Sequence, residues 1–257
     1  MKIGLIYTSY NCQEYIDGSL GPWLELKKEM GDDLLIASVS VPFEEYRGWQ
    51  DEDEHSGTYL LGVSDYVVLD PKYIKEHEAR NKAFQWLKKN EVDYYWLFDG
   101  DEVTTVDEIK KMIKFVKNNE LTSWFKVSYK NYIWDKSHYL AEPFCPPRIF
   151  SAKTYVQGCA AEASRMEWDN DVLYSSKTSI YNQRDLSNME IPYAIASPKH
   201  FTWLNNIRSK NKIRYQERHF SHGAGCSYKW NEETNSVEFS EEFYKKMGQT
   251  KPEVIAE

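Results

Sequence analysis

Tyr94-Tyr95-Trp96-Leu97-Phe98 is a run of large apolar residues closed by Asp99-Gly100-Asp101-Glu102. So short a run, rich in strand formers, reads as a buried strand rather than a helix. A strand apolar on both faces needs cover on both, which is the arrangement of a parallel sheet between helices. Lys2 to Tyr7 predicts a first strand, running into the polar loop Thr8-Ser9-Tyr10-Asn11, and Leu34 to Val41 predicts a second. Glu14 to Met30 carries Ile16, Leu20 and Leu24 at helical spacing, with a break or restart at Gly21-Pro22. Pro71 to Asn90 predicts a long helix with Ile74, His77, Ala83, Phe84 and Leu87 on its inner face. Another helix, from Thr105 or Asp107 to about Asn119, presents Ile109, Met112, Ile113 and Val116. Between Pro42 and about Asp65 the pattern dissolves into acids, glycines and aromatics and predicts a long surface excursion.

Strand and helix thus alternate through the first half, the signature of a doubly wound α/β sheet. After Leu121 the period changes. Ser123 to Trp134 alternates apolar and polar residues, and Arg148 to Val156 and Ile195 to Trp203 predict further strands, so a mixed or antiparallel portion is expected. Asn205 to Arg218 is a basic helical stretch, and the chain from His222 onward is polar, with a short helix near Ser240 to Met247.

In an open α/β sheet, ligands sit beyond the carboxyl ends of the strands. Asp99 and Asp101 emerge there, with Gly100 allowing a tight turn. Strand alternation predicts that both carboxylates face one side, within reach of one hard cation. Asp-Gly is also a common turn signal with no ligand at all.

Composition adjusts this picture in three ways. A net charge of −8 excludes a broad basic surface and so argues against a nucleic-acid partner. With 19 Tyr, 9 Trp and 11 Phe the chain is rich in rings that suit stacking on sugars or bases, as well as filling cores. Cys12, Cys145, Cys159 and Cys226 lack C-x-x-C pairing, and no apolar run suffices for a leader or a bilayer span, so a reduced, cytoplasmic setting is expected.

Taken together, the motifs resemble those of GT-A glycosyltransferases of the family-2 type, in order over residues 1 to about 218. Leu5 to Asn11, followed by Glu14-Tyr15-Ile16, resembles the first nucleotide-binding loop, and Glu78-Ala79-Arg80-Asn81-Lys82-Ala83 resembles the Ala-Arg-Asn helix. Asp99-Gly100-Asp101 is similar to the D-x-D motif. Arg148-Ile149-Phe150 with Gly158 and Glu162 resembles the acceptor-side segment, and Pro198 to Trp203 resembles the segment with a late metal-binding histidine. The second strand ends Ser38-Val39-Ser40-Val41-Pro42, without the family's base-reading Asp, and Ala160-Ala161-Glu162 lacks its usual histidine.

The resemblance implies a GT-A-like, Rossmann-like mixed sheet, mostly parallel and flanked by helices, with a C-terminal acceptor-side portion. It implies one domain over residues 1–220, with a nucleotide-binding half at 1–120 and an acceptor half at 121–220, then a polar tail or lid at 221–257; by position in a Gly-containing segment, His219 and His222 are expected to belong to a lid over the diphosphate. It further implies a divalent cation, Mn2+ or Mg2+, held by Asp101 with His200, and by Asp99 directly or through water. Thr8, Tyr10, Asn11, Arg80 and Asp99 would meet the nucleotide-sugar donor, a UDP-sugar foremost. Glu162 would take the proton from a glycan or other hydroxyl acceptor in an inverting transfer, with Asp169 and Asp171 in reserve. In place of the missing base-reading Asp, Glu44, Glu45 or backbone groups would read the base. Two other activities fit the same pattern: a nucleotidyltransferase, and a non-catalytic nucleotide- or carbohydrate-binding protein.

Overall fold

A computed structural model describes residues 1–10, 12–43, 56–70, 72, 74–152, 166–169, 172–175, 187–204, 209–210, 212–214 and 227–257. The sequence's central run is strand β4 (Tyr94–Asp99), preceded by β1 (Ile3–Thr8), β2 (Leu34–Ser40) and β3 (Tyr66–Leu69). Short β5 (Glu102–Val103) follows at once, then β6 (Trp124–Val127), β7 (Lys130–Ile133), β8 (His138–Leu140) and β9 (Pro147–Ser151). Strands β10 (Met166–Asp169), β11 (Val172–Ser175), β12 (Asn188–Ile191) and β13 (Lys199–Trp203) precede β14 (Tyr228–Asn231), β15 (Ser236–Phe239) and β16 (Val254–Ala256).

The main sheet has seven strands in the order β12-β6-β9-β4-β1-β2-β3. Its β4-β1-β2-β3 portion is parallel, β9 runs antiparallel to both β4 and β6, and β12 is parallel to β6. This is the mostly parallel, Rossmann-like mixed sheet expected of a GT-A-like chain. A second sheet of five strands, β16-β8-β7-β13-β5, stands beside the carboxyl end of β4.

Alternation along β4 assigns its two faces. Tyr94, Trp96 and Phe98 pack with Trp23 and Leu26 of helix α2 (Gly21–Met30) and with Ile109, Met112 and Val116 of helix α5 (Val106–Lys117). Trp23 meets Trp96 and Phe98 edge-on, at ring separations of 5.3 and 5.8 Å. Tyr95 and Leu97 face the other way, onto Ala83, Phe84 and Leu87 of helix α4 (Glu76–Lys89). Each fully buried side chain of this size contributes roughly 1.5–3 kcal/mol of burial free energy.

Helix α1 (Ile16–Ser19) ends just before α2 begins, with the proline in the first turn of α2, so the expected restart at Gly21-Pro22 is present. The N-terminus of α5 is fixed by Thr105 and Glu108, which cap each other's backbone N–H groups. The stretch expected as a featureless excursion instead holds helix α3 (Ser56–Val63), whose Leu60 is fully buried, and β3 then adds the sheet's outer strand. Two glycines in eight residues weaken the helical signal of α3, and tertiary packing overrides it.

Strand β13 matches the segment expected near Ile195 to Trp203, but it is followed by the hairpin β14–β15 and by β16. The expected short helix runs over Glu241–Met247, capped by Ser240. Among the described residues, no helix is long and apolar enough to cross a membrane.

Candidate active site

Asp99 closes β4 on the side of Tyr95 and Leu97, toward α4. Arg80 lies on the inner stripe of α4, three and four residues before Ala83 and Phe84, and its Nη2 donates to Asp99 Oδ1 at 2.9 Å. The same nitrogen pairs with Glu76 at 2.6 Å, one turn earlier. From the opposite flank, Arg148 on β9 donates through Nη2 to Asp99 Oδ2 at 3.0 Å. Each oxygen of Asp99 is therefore held by a different guanidinium.

Arg148 is also bound by Glu102, which is 0% exposed. Its Nε donates to Glu102 Oε1 at 2.9 Å, and its Nη2 donates to the same oxygen. Glu102 Oε2 accepts from the Tyr129 hydroxyl at 2.8 Å and from the Asp99 backbone N–H at 3.2 Å. Burial pushes Glu102 up to about 7, against the pull of Arg148. Arg148 itself is held well above its ordinary range by Glu102 and Asp99 despite burial. Buried ion pairs survive only where hydrogen bonds satisfy both partners, and this carboxylate accepts four. The Nη1 of Arg148 is buried with no hydrogen-bond partner among the described residues.

Asp101 follows the turn. Between it and Asp99 the chain turns at Gly100, whose N–H donates to the Thr8 carbonyl at 2.7 Å. A Cβ at Gly100 would lie 2.7 Å from Cys12 Cβ and 3.0 Å from Ser9 Oγ, so the turn has no room for a side chain. Strand β13 pairs antiparallel with β5, setting His200 opposite Glu102, and the Phe201 N–H donates to the Asp101 carbonyl at 2.9 Å. His200 Nε2 then lies 3.8 Å from Asp101 Oδ2.

The imidazole is fixed on its other edge by Asn131 of β7, with Nδ1 2.8 Å from Asn131 Oδ1. With the amide oxygen accepting, Nδ1 carries the proton and Nε2 is the acceptor. Burial lowers His200 to about 4, in spite of Asp101 beside it, so the ring is neutral near pH 7. Phe144 stacks on it at 4.8 Å and 27°, and Tyr129 lies edge-on at 6.3 Å. Two acceptors facing each other at this distance fit a cation between them, and a carboxylate oxygen with an imidazole nitrogen suits Mn2+. Among the described residues, no group of three or more His, Cys, Asp and Glu side chains gathers as a metal cage.

The expected site residues thus fall into two places. Arg80 and Asp99 meet in the arginine cluster, and Asp101 and His200 meet beside it. Asp99 is held by the two arginines, and Asp101 lies beside His200. Thr8 ends β1 in register with Asp99, and Tyr10 follows, half-buried, its carbonyl accepting from Cys12 Sγ at 3.2 Å. Asn11, Glu44, Glu45, Glu162, Asp171, His219 and His222 lie outside the described residues.

Glu102, Tyr129 and Asn131 were not anticipated as site residues, and Arg148 entered only within a motif. The signal available for Arg148 was a charge inside an otherwise apolar strand.

No family model matches this chain, and no curated protein matches it. Among solved structures, the chain is similar to the S. aureus TarS fragment 1-349 in complex with UDP-GlcNAc, at 12% identity and a TM-score of 0.49, covering 86% of this chain and 73% of that one. It spans 44% of the longer TarS structure. It is also similar to 4-diphosphocytidyl-2C-methyl-D-erythritol synthase from Anaerococcus prevotii DSM 20548, at 14% identity and a TM-score of 0.42, covering 74% of this chain and 88% of that one. A cytidylyltransferase from Leptospira borgpetersenii serovar Hardjo-bovis matches at 12% identity and a TM-score of 0.43, covering 75% of this chain and 76% of that one.

Proposed function

We propose that the chain is a metal-dependent, inverting glycosyltransferase that moves a sugar from a nucleotide-sugar donor, a UDP-sugar foremost, to a glycan or other hydroxyl acceptor. The observation that carries this reading is the Asp101–His200 pair: a carboxylate and a neutral imidazole, both acceptors, 3.8 Å apart at the carboxyl end of the central strand. That is where an α/β sheet presents ligands.

Asp101 and His200 hold the divalent cation, Mn2+ or Mg2+. When bound, the cation acts as a Lewis acid that offsets the charge developing on the departing diphosphate. Asp99, with both oxygens held by arginines, serves the donor's ribose or reaches the cation through water. Thr8 and Tyr10, at the end of β1, meet the base and ribose, and Asn11 shares that role. Arg80 supplies positive charge behind Asp99, facing the phosphates. Glu162 takes the proton from the attacking hydroxyl as the anomeric carbon becomes positive.

Thermal unfolding with UDP, GDP, CDP, ADP, the corresponding sugars and nucleoside triphosphates, with and without Mn2+, tests the reading. A ligand that binds only the folded chain raises the melting temperature with its concentration. The expected result is a shift for one nucleotide diphosphate and its sugar that requires Mn2+ and is lost in Asp101→Asn. A shift for triphosphates alone would favour nucleotidyl transfer, and no shift with any nucleotide on folded protein would overturn the donor site.

A further inference from the structure

We infer that Glu102 is the positioning residue of the cation pair: its buried carboxylate ties together three segments around the turn that sets Asp101 against His200, and its backbone pairs with the fourth. The inference rests on the proposed cation site but uses contacts that exist without it. Glu102 touches no solvent and so no substrate. Its Oε1 is bound to Arg148 of β9, and Arg148 in turn holds Asp99. Its Oε2 accepts from the Asp99 N–H, which fixes the start of the turn that ends in Asp101. The same oxygen accepts from the Tyr129 hydroxyl. Tyr129 exchanges both backbone hydrogen bonds with Phe144, at 2.8 and 3.1 Å, and Phe144 stacks on His200. The backbone of Glu102 is in register with His200 itself. Both members of the pair are thus referenced to one side chain that contacts neither substrate nor cation.

All four groups facing this carboxylate are donors, and three of them, the two guanidinium nitrogens and the backbone N–H, cannot become acceptors. A glutamine at 102 has one oxygen and one NH2, so whichever way it turns, donor meets donor on one side. Glu102→Gln therefore loosens the seam while preserving its volume. Tyr129→Phe removes one hydroxyl from the same carboxylate and provides a milder lesion in case the first fails to fold.

The experiment titrates Mn2+ alone into the full chain by calorimetry and records the histidine side-chain signals by NMR. The chain has six histidines, few enough that loss of a signal in His200→Asn assigns it. Asp101→Asn marks the cation site, and Ile36→Val, in the core of β2, controls for lost stability. The expected result is that Glu102→Gln, and less strongly Tyr129→Phe, weaken Mn2+ binding by about 10- to 100-fold and shift the His200 signals. Ile36→Val does neither. If both variants fold, bind Mn2+ as the wild type does and leave His200 unshifted, the inference is overturned. If the wild type takes up no Mn2+ but the variants still shift His200, the positioning role stands and the cation reading fails.

Discussion

Glu102 and His200 are both nearly enclosed, yet their proton affinities move in opposite directions with opposite consequences. Burial raises Glu102 from 4.5 to about 7, so the folded chain keeps a proton that the unfolded chain has lost. This contribution is complete below pH 4.5 and is lost as pH rises through 7. Burial lowers His200 from 6.5 to about 4, so the unfolded chain takes a proton that the folded chain refuses. That contribution is complete above pH 6.5 and is lost as pH falls through 4. Between 4.5 and 6.5 the two slopes oppose each other in the wild type. Relative to it, Glu102→Gln should gain stability with rising pH across this window, and His200→Asn should lose it, each by at most roughly 1.4 kcal/mol per pH unit. Urea midpoints measured every half unit check this. Variant and wild-type curves that stay parallel would show that neither group titrates as its burial implies.

At the scale of elements, the turn between β4 and β5 depends on close approach. Gly100→Ala brings a methyl within 2.7 Å of Cys12 Cβ, an atom with no freedom to swing aside. The expected cost is about 1–3 kcal/mol in urea unfolding. An unchanged midpoint would show that the loop at Cys12 yields without penalty. The elements of this region were legible in the sequence to different degrees, for physical reasons. Strand β4 and helix α5 are read from strong periodicity that packing reinforces. Helix α3 and strand β3 escape because glycines dilute the one and the other is a short outer strand, half-exposed. Asp99 and Asp101 stand out by local spacing, and Arg80 and His200 by motif resemblance. Glu102 does not stand out, because a buried acid is recognisable only with its counterion, and Arg148 lies 46 positions away.

For the molecule as a whole, the five-stranded sheet is closed by the last residues of the chain. Val254, Ile255 and Ala256 pair with Leu140, Tyr139 and His138, and Glu257 accepts from Lys130 Nζ at 2.7 Å and from the Tyr132 hydroxyl at 2.6 Å. Deleting residues 254–257 strips β8 of its outer neighbour and leaves Lys130 and Tyr132 without this acceptor. The expected loss is about 2–3 kcal/mol, with a lower melting temperature. A melting temperature equal to that of the intact chain would place β16 outside the cooperative unit.

Strand β13 completes the site by docking on β5, and it is made long after the parallel strands it serves. During synthesis, β1 to β4 can pair once β4 has emerged, since all four lie within the first 99 residues. Asp101 and Glu102 then wait for His200 until most of the chain has emerged. A nascent or truncated chain that ends before β13 therefore carries the arginine-held Asp99 but no imidazole opposite Asp101, so the order of translation makes the Asp101–His200 pair one of the last contacts of this region to form.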